Sequence, residues 1–532
     1  MTAHELRFAL TASMTAEFEQ RAAIGLAQAA GRLRTLWFDT PAGDLMNAAT
    51  SLEVRQTADG WMQAVAHDGD GRFERRSLEQ PVAGPRPERD ALPPRDDPLG
   101  RVPHAFFGLL VPVFEAELER QVRLVGPQPD LRVEVACERG ELRAGHRSER
   151  IAEVALRRRE GPAAAFFHYA AQWAAMHGAQ LLLEPMHLRG LELAGWRPRA
   201  PRPVRIPPAA PNAGLTVAQA ACQAIAGHLD HVVANLLPVR AGTQPQAIHQ
   251  LRVALRRLRA AIRFFDLDRQ EVEPGADGAP AAGSGWRDLA RSARDLSAAA
   301  APVRDADVLE SGVLRDLDGS LPEDASLHVL RQAITTAREH DRARLRAVLS
   351  SPETTAFILR GHAALGTLAT GRWAEADFAS FAAGRLARLA ARAQRRTRRA
   401  GSEGDWHRAR VALKELRYAL ECCRALPATR GPADDAIAML SRWQRSLGRA
   451  QDLATARASV ARALAYADAP VEIAVRAAAL VDGYRASAAA LNRPGRLRKP
   501  ILGGLERLLA PAPPSPAAGY HRVDRSRKED IE

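Results

Sequence analysis

The segment IHQLRVALRRLRAAIRFF (248–265) recurs without a gap as WHRARVALKELRYALECC (406–423). Taken as a helix at about 100° per residue, the first copy sets His249, Arg252, Arg256, Arg259 and Arg263 in one narrow stripe. Leu251, Leu255, Leu258, Ile262 and Phe265 fall on the opposite face. The second copy repeats this with His407, Arg410, Lys414 and Arg417 in the stripe and Leu413, Leu416 and Leu420 behind it. Its stripe ends at Glu421, where the first copy has Arg263. A weaker match follows each copy, PVRDADVLE (302–310) and RAQDLATAR (449–457). A period of about 150 residues is too long for a solenoid unit, so the repeat predicts two related helical bundles packed as a pseudo-symmetric pair.

Such a stripe is costly in isolation, because like charges at i,i+3 and i,i+4 repel by a few tenths of a kcal/mol per pair. Acidic partners at those offsets are nearly absent from the first stripe. A phosphate chain along it would turn the repulsion into charge-assisted hydrogen bonds. A third segment, GRLARLAARAQRRTRRA (384–400), repeats the spacing with Arg385, Arg388, Arg392, Arg395 and Arg399. A single charge run is most often a solvated face; paired stripes, each opened by a histidine, favour a ligand. His249 and His407 are either phosphate donors, whose charge rises as pH falls, or helix-start residues bonded to backbone. Neither has a His or carboxylate at i+4 to complete a metal site. In RDADVL, Arg304 joins the basic set, and Asp305 and Asp307 are expected to orient arginines rather than to catalyse.

The net charge of +13 is segregated. Residues 1–200 hold 25 Arg and no Lys against 27 acidic residues, a net of −2; residues 201–532 hold 50 basic against 35 acidic, a net of +15. Only three cations are lysine (Lys414, Lys499, Lys528), and the arginine fork matches phosphate oxygens. A GC-rich genome would explain abundant Arg and Ala but not their segregation. Aromatics are 5% of the chain and few interleave with the stripes, which disfavours base stacking and makes nucleic acid the weaker candidate partner. No apolar run reaches the roughly 18 residues of a membrane helix, so no membrane insertion is expected. The start MTAHELRFAL lacks the pattern of a secretory leader. The four cysteines show no metal-ligand spacing, and a reduced cytoplasmic setting is the simplest expectation.

With 532 residues, more than one core is expected. Residues 1–197 read as mixed strand and helix. The stretches 36–40, 51–56, 61–67 and 131–142 alternate like strands, 81–103 reads as a long loop, and 163–182 reads as helix. Residues 198–214 are a Pro-rich linker. From 215 to 510 the pattern is helical, with breaks at 271–285, near Pro322, at 351–352, at 401–404 and at 426–434. Residues 511–532 read as a disordered tail.

These residues resemble the CHAD (conserved histidine α-helical) domain, on the strength of IHQLRVALRRLRAAIRFF, VRDADVL, WHRARVALKELRYALE and LGRAQDL, over about 215–510. The resemblance implies two pseudo-twofold four-helix bundles around a basic cavity that binds inorganic polyphosphate. It carries binding roles to His249, Arg252, Arg256, Arg259, Arg304, His407, Arg410, Lys414 and Arg417; Arg263 joins them from the stripe itself. Association with polyphosphate granules is a corollary. Two departures stand out: Glu415 sits where a second cation is usual beside Lys414, and the run before Val303 lacks the usual glycine turn.

Residues 1–195 resemble the CYTH, or triphosphate tunnel, domain through LWFDTPAGDL, LEVRQTADGWMQ and VEVACERGELRAGHRSERIAEV. This implies an antiparallel tunnel-like barrel, an α+β domain before the all-α one. The family's Glu-x-Glu-x-Lys strand reads Ala3, Glu5, Arg7 here. Its Leu-Arg-x-Arg reads Leu52, Glu53, Val54, Arg55; an expected lysine is Ala66; Glu115 and Glu117 stand at cationic places; and Glu153 is followed by Ala155 and Arg157 rather than carboxylates. The domain is therefore expected to be non-catalytic and to need no cofactor. The enzyme alternative is a triphosphatase using Glu5, Glu134 and Glu153 with Mg²⁺.

Overall fold

The computed structural model describes residues 2–23, 29–58, 60–68, 73–196, 201–242, 244–269, 282–320, 324–371, 373–426, 432–466, 470–491 and 494–509. The expected tail at 511–532, the turn at Pro322 and parts of the breaks at 271–285 and 426–434 lie outside them.

Period-2 alternation builds the N-terminal half. Its strands are β1 (Thr2–Ala9), β2 (Ala29–Asp39), β3 (Thr50–Thr57), β4 (Gly60–Asp68), β5 (Glu74–Val82), β6 (Val111–Gln128), β7 (Leu131–Ala144), β8 (Arg147–Glu160) and the short β9 (Leu181–Leu182). They pair antiparallel in the order β5-β4-β3-β2-β6-β7-β8-β1, and β1 pairs back to β5, closing an eight-stranded barrel; β9 adds to β1. The barrel is inverted relative to an ordinary core. Leu6, Phe8, Val133, Val135, Val154 and Leu156 are buried on its outside under a helix, while Glu5, Arg7, Arg55 and Arg157 line its interior.

The accompanying helices are α1 (Ala12–Ala23), α2 (Asp44–Asn47), α3 (Pro98–Phe106), α4 (Ala163–His177) and α5 (Met186–Leu193). The stretch 81–103, expected to be all loop, ends in α3, because the Asp97 side chain caps it by accepting from Leu99 N. The helix expected over 163–182 stops at His177, where Gly178 turns left-handed at φ 58°.

The C-terminal half is helical: α6 (Val217–Ala241), α7 (Pro245–Phe264), α8 (Ala282–Ala299), α9 (Ala301–Leu309), α10 (Arg315–Ser320), α11 (Ala325–Leu349), α12 (Pro352–Leu365), α13 (Phe378–Arg398), α14 (Glu403–Cys422), α15 (Pro432–Tyr466), α16 (Val471–Leu491) and α17 (Arg498–Leu509). The two sequence repeats form α7 and α14. One core packs α6, α7, α8 and α12; a second packs α13, α14, α15 and α17. The far ends of α9, α11, α15 and α16 share a third. The sequence reading missed the break between α12 and α13, which a 3₁₀ turn at Gly366–Leu368 opens.

The Pro-rich segment is tied to α6 and α7 at Val204 and Ile206. Val204 N donates to Asn235 Oδ1 at 3.1 Å, Asn235 Nδ2 returns a bond to Val204 O at 2.8 Å, and Arg257 reaches Ile206 O at 3.4 Å. The two halves also share apolar packing. The core under β1, β7 and β8 continues through α4 into α6, α7, α8 and α12. Leu181 N donates to Thr355 Oγ1 at 2.9 Å, and the Phe167 and His362 rings sit 4.9 Å apart. A Cβ on Gly366 would lie 2.1 Å from Ala164 Cβ, so α4 approaches this turn as closely as only glycine permits.

Burial in this junction pushes the His362 imidazole down to about 4, from 6.5. The folded value lies below the unfolded one, so the neutral ring's contribution is complete above about pH 6.5 and is lost as pH falls toward 4. Melting temperature is expected to fall between about pH 7.5 and about pH 5, and less steeply in His362→Phe. The other depressed histidines keep part of the slope. A His362→Phe slope equal to wild type would contradict the assignment.

Candidate functional site

Helix α7 exists as an amphipathic element because its leucines fill the first helical core, which forces the stripe to the other side. His249, Arg252 and Arg256 are half-buried there, and Arg304 arrives from α9. Burial first, then Arg304, Arg256 and Arg252, push the His249 imidazole down to about 4. It is therefore neutral at pH 7 while the seat is empty. Arg252 donates Nη1 to Ser297 O near the end of α8, at 2.7 Å, yet burial and its arginine neighbours still lower its pKa. Arg259 is likewise lowered by burial, Arg263 and Arg294. Arg256 Nε is buried with no hydrogen-bond partner among the described residues. Asp305 and Asp295 offset only part of this positive charge, since burial and the neighbouring arginines still prevail at Arg252 and Arg259.

The second stripe is more engaged. Helix α14 packs along α7. Arg417 donates Nε to Gln444 Oε1 at 2.9 Å and Nη1 to Glu421 Oε1 at 2.6 Å. Glu421 also pairs with Arg257 of α7 at 3.1 Å, so the acid that ends the second stripe ties the two repeats together. Glu415 has a comparable place: it pairs with Arg263 at 3.4 Å and with Arg392 of α13 at 3.1 Å, joining three helices. Arg410 and Lys414 are half-buried and His407 is exposed. The sequence reading missed Arg257, which lies off the stripe. Its only signal is that Arg257 and Glu421 fall on the flanks where two equivalent helices meet. In the third arginine segment, Arg388, Arg392, Arg395 and Arg399 are exposed, and Arg385 donates to Arg263 O.

Inside the barrel lies a cavity of about 410 Å³ lined by Glu5, Arg7, Glu53, Arg55, Arg120 and Glu138 among others. Arg157 crosses it, pairing with Glu5 at 2.9 Å, Glu134 at 2.9 Å and Glu138 at 3.5 Å. Arg7 pairs with Glu5 at 2.7 Å, Glu138 at 2.8 Å and Glu153 at 3.1 Å. Arg120 and Arg159 add to Glu134, and Arg189 to Glu153. Burial alone would raise the Glu134 carboxyl, but Arg157, Arg159 and Arg120 hold it down to about 2. Glu5 lies well below the usual range: burial opposes this, and Arg157 and Arg7 prevail.

This donor set does not fit a divalent cation. Each carboxylate a metal would use is already neutralised by a guanidinium, and a cation there would face Arg157 and Arg7 directly. Two features correct the sequence reading. Glu138, 2% exposed, was overlooked, although it lies four residues beyond Glu134 on the same strand face. On β6 the inward positions are Leu118 and Arg120, while Glu115 and Glu117 point outward to Arg34 and Arg143, so the register there is shifted by one.

The profile of the CHAD domain family matches residues 223–461. No curated protein matches the chain. Among solved structures, the CHAD domain from the plant Ricinus communis is 25% identical, over 57% of this chain and 96% of that one, with a TM-score of 0.47. PptA from Streptomyces chartreusis is 13% identical over 55% of this chain and all (100%) of that one, with a TM-score of 0.38. HpAC1 from Hippeastrum, described as having a dominant triphosphatase activity, is 13% identical over 37% of this chain and 98% of that one, with a TM-score of 0.28. The N-terminal half is a closed eight-stranded barrel of the form that the CYTH resemblance implies, and the helical half, over residues 223–461, is a CHAD domain.

Proposed function

We propose that this protein binds inorganic polyphosphate on the basic face of α7, α9 and α14, and that its barrel is a structural partner rather than a triphosphatase. The observation that carries the first part is the half-buried cluster of His249, Arg252, Arg256 and Arg304, where positive charge outweighs the acidic partners. Like charges held this close repel one another, and an anion among them would turn that repulsion into attraction. The CHAD match supports phosphate as that anion. The second part rests on Arg157 and Arg7, which occupy the carboxylates that Mg²⁺ would require.

Binding should draw a proton onto His249, because phosphate oxygens beside the ring reverse the effect of its arginine neighbours. Calorimetry at pH 7 in buffers of different ionisation enthalpy is expected to show proton uptake, abolished in His249→Gln; equal uptake in both proteins would contradict the role. The direct test is competition among long-chain polyphosphate, tripolyphosphate, ATP and single-stranded DNA, run with a phosphate-release assay. Long-chain polyphosphate is expected to win, with no Mg²⁺-dependent release from tripolyphosphate. Preference for DNA would favour a nucleic-acid role, and release abolished by Glu5→Gln would restore the enzyme reading.

A further inference from the structure

Helix α9 carries a second charged group one turn beyond Arg304. Asp307 is buried, its side chain 3% exposed, with no hydrogen-bond donor to either carboxylate oxygen among the described residues. Two arginines of α11, one helical turn apart, converge on it: Arg342 Nη2 at 3.8 Å and Arg338 Nη1 at 4.0 Å. Those separations give Coulomb attraction without a hydrogen bond. The Nε groups of Arg338 and Arg342 are also buried and unpartnered among the described residues. A buried carboxylate and two guanidinium groups that face each other without closing is an expensive arrangement for a purely structural ion pair.

Two further observations point to a ligand. Arg304 lies three residues before Asp307 on α9, and α9 packs against both α7 and α11, so it bridges the basic face of α7 and the arginines of α11. At its C-terminal end, α9 passes into a π-helical turn, Glu310–Leu314, which places Glu310 on Arg338. Such turns are rare and are frequent at functional sites.

We propose that Arg338 and Arg342 form a second anchoring wall of the same polyanion seat, held by Asp307 and Glu310 while the seat is empty and released to phosphate when a long chain occupies it. This rests on the polyphosphate reading above and adds a length requirement. A short phosphate oligomer satisfied by His249, Arg252 and Arg256 does not reach α11, whereas a long chain crossing Arg304 does. The phosphoryl oxygens then make the short bonds that the carboxylate, 3.8 to 4.0 Å away, does not.

The test uses the full chain and calorimetric titration with long-chain polyphosphate and, separately, tripolyphosphate, with thermal melts for each variant. Arg338→Ala combined with Arg342→Ala is expected to weaken long-chain binding by about fivefold or more and to leave tripolyphosphate within about twofold of wild type. Asp307→Asn and Glu310→Gln, which free the arginines without removing a cation, are expected to tighten long-chain binding. Wild-type affinity in the double arginine variant, with loss in Arg256→Ala/Arg259→Ala, would overturn the second wall and leave the proposed function standing. Loss in neither would overturn both. Equal losses for long and short ligands would overturn the length requirement. Should the double arginine variant fail to fold, Glu310→Gln decides alone: unchanged long-chain affinity overturns the proposal.

Discussion

Replacing Arg157 by methionine is expected to destabilise the protein by about 3 to 5 kcal/mol, the usual result of removing one partner from a buried ionic network. Among the described residues its guanidinium is the one cation shared by Glu5, Glu134 and Glu138, and Glu138 is 2% exposed. Methionine keeps most of the volume and removes the charge, so the loss reports uncompensated carboxylates rather than a cavity. Arg7, Arg120 and Arg159 remain to share them, which places the effect toward the lower end of that range. Adding Glu5→Gln should recover part of it, since one carboxylate fewer then needs a partner. Urea denaturation of the single and double variants measures both. A single variant within about 1 kcal/mol of wild type would show that the tunnel carboxylates do not depend on Arg157.

Neutralising either stripe is expected to weaken polyphosphate binding by more than tenfold, about 1.4 kcal/mol, because each charge-assisted contact contributes about 1.5 to 3 kcal/mol before desolvation. The pairs are Arg256→Ala/Arg259→Ala and Lys414→Ala/Arg417→Ala, which lie on different repeats but on helices that pack together. Their effects on folding should differ. Arg256 and Arg259 make no hydrogen bond or ion pair among the described residues, so their removal relieves repulsion and the variant should melt at or above the wild-type temperature. Arg417 holds Glu421 and Gln444, so its removal should lower the melting temperature even without ligand. Retained affinity in either variant would make that stripe a solvated helix face.

The repeat announced α7 and α14 because leucine periodicity and an arginine stripe are local properties, visible at helical spacing. Alternation marked individual strands and the CYTH resemblance implied a tunnel-like barrel, but its inversion gave less warning: Glu134 and Glu138 look like surface residues until the strand closes on itself. The one-residue slip on β6 has the same origin, since FEAELER alternates equally well in either register and only pairing with β2 and β7 decides it. Glu415 and Glu421 read as departures from a basic pattern. Their reason, bridging Arg263 to Arg392 and Arg257 to Arg417, depends on helices distant in sequence and is invisible along one helix. Asp307 was expected to orient arginines, but Arg338 and Arg342 were overlooked, although with Arg331 and Arg346 they fall on one face of α11; acidic residues interrupt that helix and hide the run. The apolar junction joining α4 to α12 was hidden too: each helix reads as ordinary core until both are placed.

The account's central claim is that the basic face of the helical half is a polyanion seat, and titration of the full chain with long-chain polyphosphate at several salt concentrations tests it most directly. Saturable binding is predicted, with the logarithm of affinity falling linearly as the logarithm of salt concentration rises, since each neutralised phosphate releases counterions. The slope should be shallower in Arg256→Ala/Arg259→Ala by about the two cations removed. Binding absent at low salt, or a slope that stays the same when those arginines are gone, would contradict it.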